Sequence, residues 1–223
     1  CEVTVWGKKP LYGVIGALPP HLSQGPLKAA DTAELAVDVG LPKEEVVSLV
    51  RTGDPVYFKV PMTRLLNDRV AYKTFDDRAC VTMILAMEEL KNYDLPCTVE
   101  FCATVQEEVG SFGAMTAAYA SAPDMAVAFD VCHATTPGTD PWETMPIEKV
   151  GLGMGPTIHP AMLRRMQETA KALCVDIQID PSAGRTYTDA DSIFCARAGI
   201  PTALLSLPPS SMHTIVETIN LKH

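Results

Sequence analysis

Thr98-Val-Glu-Phe-Cys-Ala-Thr-Val105 runs straight into Gln106-Glu107-Glu108-Val109-Gly110, and the reading of this stretch decides the fold class. An apolar run rich in Val, Phe and Thr reads as a strand, and two adjacent carboxylates close it. The pattern recurs downstream. Met125 to Phe129 is an apolar run ended by Asp130, and Pro201 to Leu207 is one followed within a few residues by His213. Helical patterns separate these runs. Ala79 to Tyr93 puts Val81, Ile84 and Leu85 on one stripe, Ser111 to Ala120 is a helix of small residues, and Asp189 to Ala198 is a helix stopped by Gly199. Pro160 to Cys174 opens with proline and turns Leu163, Met166, Ala170 and Leu173 inward; Val175 to Ile179 follows as a strand. Strands alternating with helices define an α/β fold, with a mostly parallel sheet covered by helices on both faces. Ligands of such sheets bind in the crevice beyond the carboxyl ends of the strands.

Upstream the texture differs. Residues 1–66 carry short alternating segments at Val3 to Trp6, Leu11 to Ile15, Leu35 to Val39 and Pro55 to Val60, with one short helix at Pro42 to Val50. Turn signals at Pro19-Pro20, Gly40 to Pro42 and Gly53-Asp54-Pro55 separate them. This is the pattern of a small β-rich module, followed by an α/β domain over residues 67–223. Cys1-Glu-Val-Thr-Val-Trp6 alternates like a strand already under way, so the chain is expected to begin inside a larger protein.

Composition narrows the function classes. The hydrophobic fraction of 47% and charged fraction of 20% belong to a globular protein. No apolar run reaches the roughly 18 residues of a membrane helix, and a net charge of −9 argues against a nucleic-acid partner. Seven cysteines form no CxxC pair and most lie in apolar settings, which predicts reduced, buried thiols and a cytoplasmic protein.

The polar groups at the strand ends carry the chemistry. Asp76-Asp77-Arg78, Glu107-Glu108, Asp130 and His213 come from four distant parts of the chain. Any one alone reads as surface. Glu44-Glu45-Val46 repeats the string Glu107-Glu108-Val109, yet it opens a short helix, where acidic residues favour the helix dipole. Together, at the ends of strands of one sheet, the four sites suit a pair of divalent cations, which take imidazole nitrogen and carboxylate oxygen. Two such ions about 3.5 Å apart need an anionic bridge between them. Asp76, at a tight turn, can be that bridge. Glu108 and Asp130 then serve one ion each, His213 is a neutral donor, and Glu107 is free to take a proton from the attacking water.

These motifs resemble a known family. Phe75-Asp76-Asp77-Arg78, Gln106-Glu107-Glu108-Val109-Gly110, Phe129-Asp130-Val131 and Met212-His213-Thr214-x-x-Glu217 are similar to the successive motifs of the co-catalytic metal aminopeptidases. That family includes glutamyl aminopeptidases, the tetrahedral aminopeptidase particles and relatives labelled endoglucanases. Tyr12-Gly13-Val14-Ile15-Gly16, Gly53-Asp54-Pro55-Val56, Leu152-Gly153-Met154-Gly155-Pro156, Thr188-Asp189-Ala190 and Gly199-Ile200-Pro201-Thr202 resemble further family segments in family order, so the likeness covers essentially the whole chain. It implies a metal-dependent aminopeptidase that removes N-terminal residues from peptides with water activated by two metal ions, zinc or cobalt. Asp76 would bridge the ions, Glu108, Asp130 and His213 would be terminal ligands, and Glu107 would be general base. The resemblance also implies a cis Asp76–Asp77 peptide bond. Residues 1–66 would be part of an inserted β-rich oligomerisation domain, and the protein a homo-oligomer, with a dodecamer as one such assembly.

Two departures stand out. The family's fifth ligand is the histidine of a His-x-Asp motif, and none of His21, His133, His159 or His223 has that context. The family's Pro-x-Arg-Tyr segment appears here as Pro208-Pro209-Ser210-Ser211, which alters the pocket beside His213. Two rival readings remain: a glycoside hydrolase, since paired carboxylates also do that work, and a non-catalytic homologue. The first lacks aromatic platforms near the acidic residues, because the two tryptophans are Trp6 and Trp142.

Overall fold

The computed structural model describes residues 1–16 and 31–222. The Pro19-Pro20 turn, His21 and His223 lie outside the described residues. The chain divides into two compact units, Cys1–Pro61 and Met62–His223.

In the first unit, β1 (Glu2–Trp6), β2 (Pro10–Ile15), β3 (Val37–Asp38) and β4 (Val56–Phe58) form an antiparallel sheet in the order β3-β2-β1-β4, with helix α1 at Lys43–Leu49. Val3 and Val5 of β1 and Leu11 of β2 are buried, as alternation along a strand requires. Gly13 has no room for a side chain. A Cβ there would lie 2.8 Å from the Val37 side chain and 2.9 Å from the Asp38 carbonyl oxygen.

The second unit holds two sheets rather than one. β5 (Thr63–Arg64) and β6 (Arg69–Tyr72) join the last strand, β11 (Glu217–Asn220), in an antiparallel sheet ordered β11-β6-β5. Helices α2 (Phe75–Ala86) and α3 (Phe112–Ser121) precede β7 (Ala126–Val131) and β8 (Val150–Met154). Then come α4 (Pro160–Leu173), β9 (Ile177–Pro181), the single turn α5 (Ala190–Ile193) and β10 (Thr202–Leu207). The four-stranded sheet is ordered β7-β10-β8-β9. β7 with β10, and β8 with β9, run parallel; β10 and β8 run antiparallel. The α/β expectation holds. The core beside this sheet joins Ala128, Ile158, Ala190 and Leu204, with Leu163 and Ile193 packed against them.

Several expectations change. Residues 98–105 form no strand: they lack ladder partners among the described residues, and Val99, Phe101 and Val105 are exposed. Strand propensity measures fit to a paired, half-buried surface, and an unpaired segment does not realise it. The helix expected over Ala79 to Tyr93 starts at Phe75, and its last part, Met87–Asn92, is a tighter 3₁₀ helix. Leu85 and Leu173, placed inward by periodicity, are exposed near their helix ends. Of the seven cysteines, all free, only Cys80 and Cys132 are buried. No helix among the described residues is long and apolar enough to cross a membrane.

Candidate metal centre

Asp76 sits where β6 passes into α2. Thr74 takes a left-handed conformation (φ 60°), and helical dihedrals break at Asp76 (ψ 106°) and Asp77 (φ −114°, ψ 30°) before the regular turns begin. The Asp76–Asp77 peptide bond is cis. Glu107 and Glu108 occupy a single 3₁₀ turn, Glu107–Val109, entered through left-handed Gln106. Asp130 lies inside β7, one residue before its end, and is 6% exposed. His213 stands in the loop between β10 and β11, with φ 61°. The site therefore does not lie at the ends of one parallel sheet, as the sequence predicts. Asp76 follows the small antiparallel sheet, while Asp130 and the strand leading to His213 belong to the four-stranded one.

The side chains nevertheless converge on Asp76. His213 Nε2 is 2.8 Å from Asp76 Oδ2 and 3.9 Å from Glu108 Oε2. Among the described residues two donor sets emerge, each with ligand atoms within 4.8 Å of one another: Asp76, Glu108 and His213, and Asp76, Asp77 and Asp130. Asp76 is the shared member. Its side chain is only 6% exposed, against 66% for His213 and 58% for Glu108, so the shared carboxylate is sheltered and the other two groups face solvent. Glu107 belongs to neither set.

Crowding and burial raise the carboxyl groups. Burial chiefly, then the charge of Glu108, lifts Asp76 to about 6 despite the opposing His213. Burial lifts Asp77 to about 7, with Asp76 and Glu107 adding, and Glu107 to about 7, with Asp189 and Glu108 adding. Asp130 rises to about 8, mainly through burial and then the charge of Asp77, although the Val131 N–H donates to its Oδ1 at 2.7 Å. Such groups favour the neutral form unless a cation joins them. Asp77 Oδ1 and Asp189 Oδ1 are buried without a hydrogen-bond partner among the described residues. Hard oxygen donors with one imidazole, held close and short of positive charge, fit a divalent cation.

Three residues beyond the predicted set belong to the site's surroundings. Asp77 completes the second donor set. Glu217, 2% exposed, accepts from the backbone N–H of Asp76 at 3.0 Å and of His213 at 2.9 Å. Asp189 accepts from the Thr104 hydroxyl and is the foremost charge acting on Glu107. The signal for Glu217 was its spacing of four from His213. Asp77 and Asp189 stood in the family-like segments Phe75-Asp76-Asp77-Arg78 and Thr188-Asp189-Ala190, which assigned them no role.

The α/β fold is shared with solved aminopeptidase structures. The sequence profile of the M42 glutamyl aminopeptidase family matches residues 1–223, and the chain belongs to that family. It is 35% identical over 216 residues to a lysyl aminopeptidase of Pyrococcus furiosus, covering 92% of this chain and 61% of that protein. An aminopeptidase structure from Desulfurococcus kamchatkensis superimposes with a TM-score of 0.86 at 32% identity, covering 99% of this chain and 64% of that one. The TET1 peptidase of Pyrococcus horikoshii, described as assembling into a tetrahedron or a large octahedral shell, matches with a TM-score of 0.82 at 33% identity, over 99% of this chain and 67% of that one. The chain thus spans about two thirds or less of the relatives' length.

Proposed function

We propose that the protein is a metal-dependent aminopeptidase in which Asp76 would help hold both of two divalent cations, zinc or cobalt. The observation that carries this reading is the sharing of Asp76 by two donor sets. Asp76, Glu108 and His213 would hold one cation. Asp76 and Asp130, with Asp77 beside them, would hold the other. Bound there, the cations would supply Lewis-acid activation of water and of the scissile carbonyl.

The chain's own residues do the rest. Glu107 lies next to a ligand yet outside both donor sets, so its carboxylate is free for proton transfer. It accepts a proton as water oxygen attacks the carbonyl carbon, then delivers that proton to the leaving amine as the C–N bond breaks. The relatives' names favour peptide over glycan as substrate. The shell-forming neighbour supports a homo-oligomer; we assign residues 1–66 to assembly, residues 67–223 to catalysis and the protein to the cytoplasm. In the full-length polypeptide, Glu107→Gln keeps shape and removes basicity. Turnover of aminoacyl anilides should fall by roughly 100-fold or more with metal content unchanged. Loss of metal in that variant would instead make Glu107 a ligand and exchange the roles of the pair.

A further inference from the structure

Glu217 has an unusual position for a carboxylate. It is 2% exposed, and its two oxygens divide between two backbone donors from distant parts of the chain. Oε2 accepts the Asp76 N–H at 3.0 Å, and Oε1 accepts the His213 N–H at 2.9 Å. Neither bond is part of a helix or a sheet ladder. Glu217 is itself fixed by β11, where it pairs with Tyr72 of β6, four residues before Asp76. Ser210 and Thr218 exchange backbone bonds of 2.9 and 3.0 Å, which close the loop that presents His213. Inside that loop Ser211 and His213 both have left-handed backbones, and the Thr214 hydroxyl donates to the Ser211 carbonyl at 2.7 Å.

Burying a carboxylate is costly, and two charge-assisted bonds to backbone N–H groups offset that cost. A neutral residue able to fill the space would avoid it altogether, so packing alone does not explain the charge.

We propose that Glu217 is a positioning residue that sets the distance between the Asp76 turn and the His213 loop, holding carboxylate and imidazole ready for a common cation. Its negative charge, close to Asp76, also deepens the local demand for positive charge. The inference rests on the reading of Asp76 and His213 as ligands above. An outer group of this kind typically changes metal affinity by about 10- to 100-fold.

The test compares Glu217→Gln and Glu217→Asp with Asp76→Asn and His213→Ala, all in the full-length polypeptide. Two readouts are used: zinc affinity against a competing chelator, and amide hydrogen exchange of the metal-free protein. In Glu217→Gln one acceptor oxygen becomes an N–H₂ donor facing a backbone N–H. The expected result is zinc affinity lowered by about 10- to 100-fold, with faster exchange confined to the Asp76 and His213 amides. Glu217→Asp keeps the charge but reaches only one N–H, so its loss should be smaller; it also serves if the glutamine variant does not fold. Unchanged zinc affinity in both Glu217 variants, with affinity lost in Asp76→Asn and His213→Ala, would overturn the positioning role and leave the metal site standing. Unchanged affinity in Asp76→Asn and His213→Ala would overturn the metal site and this inference with it.

Discussion

At the scale of single residues, the proposed centre depends on Asp76 belonging to both donor sets and Glu107 to neither. The legible part was the residue types: Asp76, Glu107, Glu108, Asp130 and His213 stand out because acids and a histidine follow apolar runs. Their partners were less visible. Glu217 sits in a four-residue strand, where an acid is ordinarily a solvated group; only the folded chain shows it 2% exposed between two backbone amides. Asp77 was seen beside Asp76 but given no role, because adjacent acids at a helix start normally serve the dipole. Here the non-helical dihedrals of Asp76 and Asp77 turn them toward the site instead. Asp189 yields a prediction at this scale. It is the foremost charge raising Glu107, so Asp189→Asn should shift the rising limb of the kcat/KM–pH profile of the full-length polypeptide to lower pH. An unmoved profile would show that the two carboxylates do not communicate.

Among the elements, α4, β7, β9 and β10 were read from the sequence to within about two residues, whereas β8, a glycine-interrupted run, was not read as a strand. Segment 98–105 was read as one and is not. Its composition is that of a strand, but pairing is a property of neighbours, and none of the described residues supplies a ladder for it. What holds this segment is α3. The Gly113 N–H donates to the Val105 carbonyl at 2.9 Å, and a Cβ on Gly113 would come within 2.4 Å of that oxygen and 2.5 Å of the Val105 nitrogen. Both atoms are backbone, so relief requires the segment leading to Glu107 to move. Gly113→Ala should therefore destabilise the protein by about 1–3 kcal/mol in urea unfolding and weaken zinc binding through Glu108. Wild-type stability would mean that the segment yields without cost.

For the molecule as a whole, four carboxyl groups have been brought together at a cost that depends on pH. Asp76, Asp77 and Asp130 rise from 3.8 to about 6, 7 and 8, and Glu107 from 4.5 to about 7. A folded-state value above the unfolded one means that the fold holds protons the unfolded chain releases. The associated stability is fully present below about pH 4 and is lost as pH rises through 6 to 8. Metal-stripped protein should accordingly unfold at lower urea near pH 8 than near pH 5, and saturating zinc should remove most of that difference. Equal midpoints at the two pH values without metal would contradict the crowding.

The most direct test of the shared bridge is calorimetric titration of the metal-stripped 223-residue chain with zinc, alongside Asp76→Asn. The set of Asp76, Glu108 and His213 contains an imidazole, whereas the other is made of carboxylates alone, and zinc favours nitrogen donors. One tight site and a second, much weaker one are predicted for the unaltered chain, with both lost or severely weakened in Asp76→Asn. Zinc binding by Asp76→Asn with unchanged stoichiometry and affinity would contradict it.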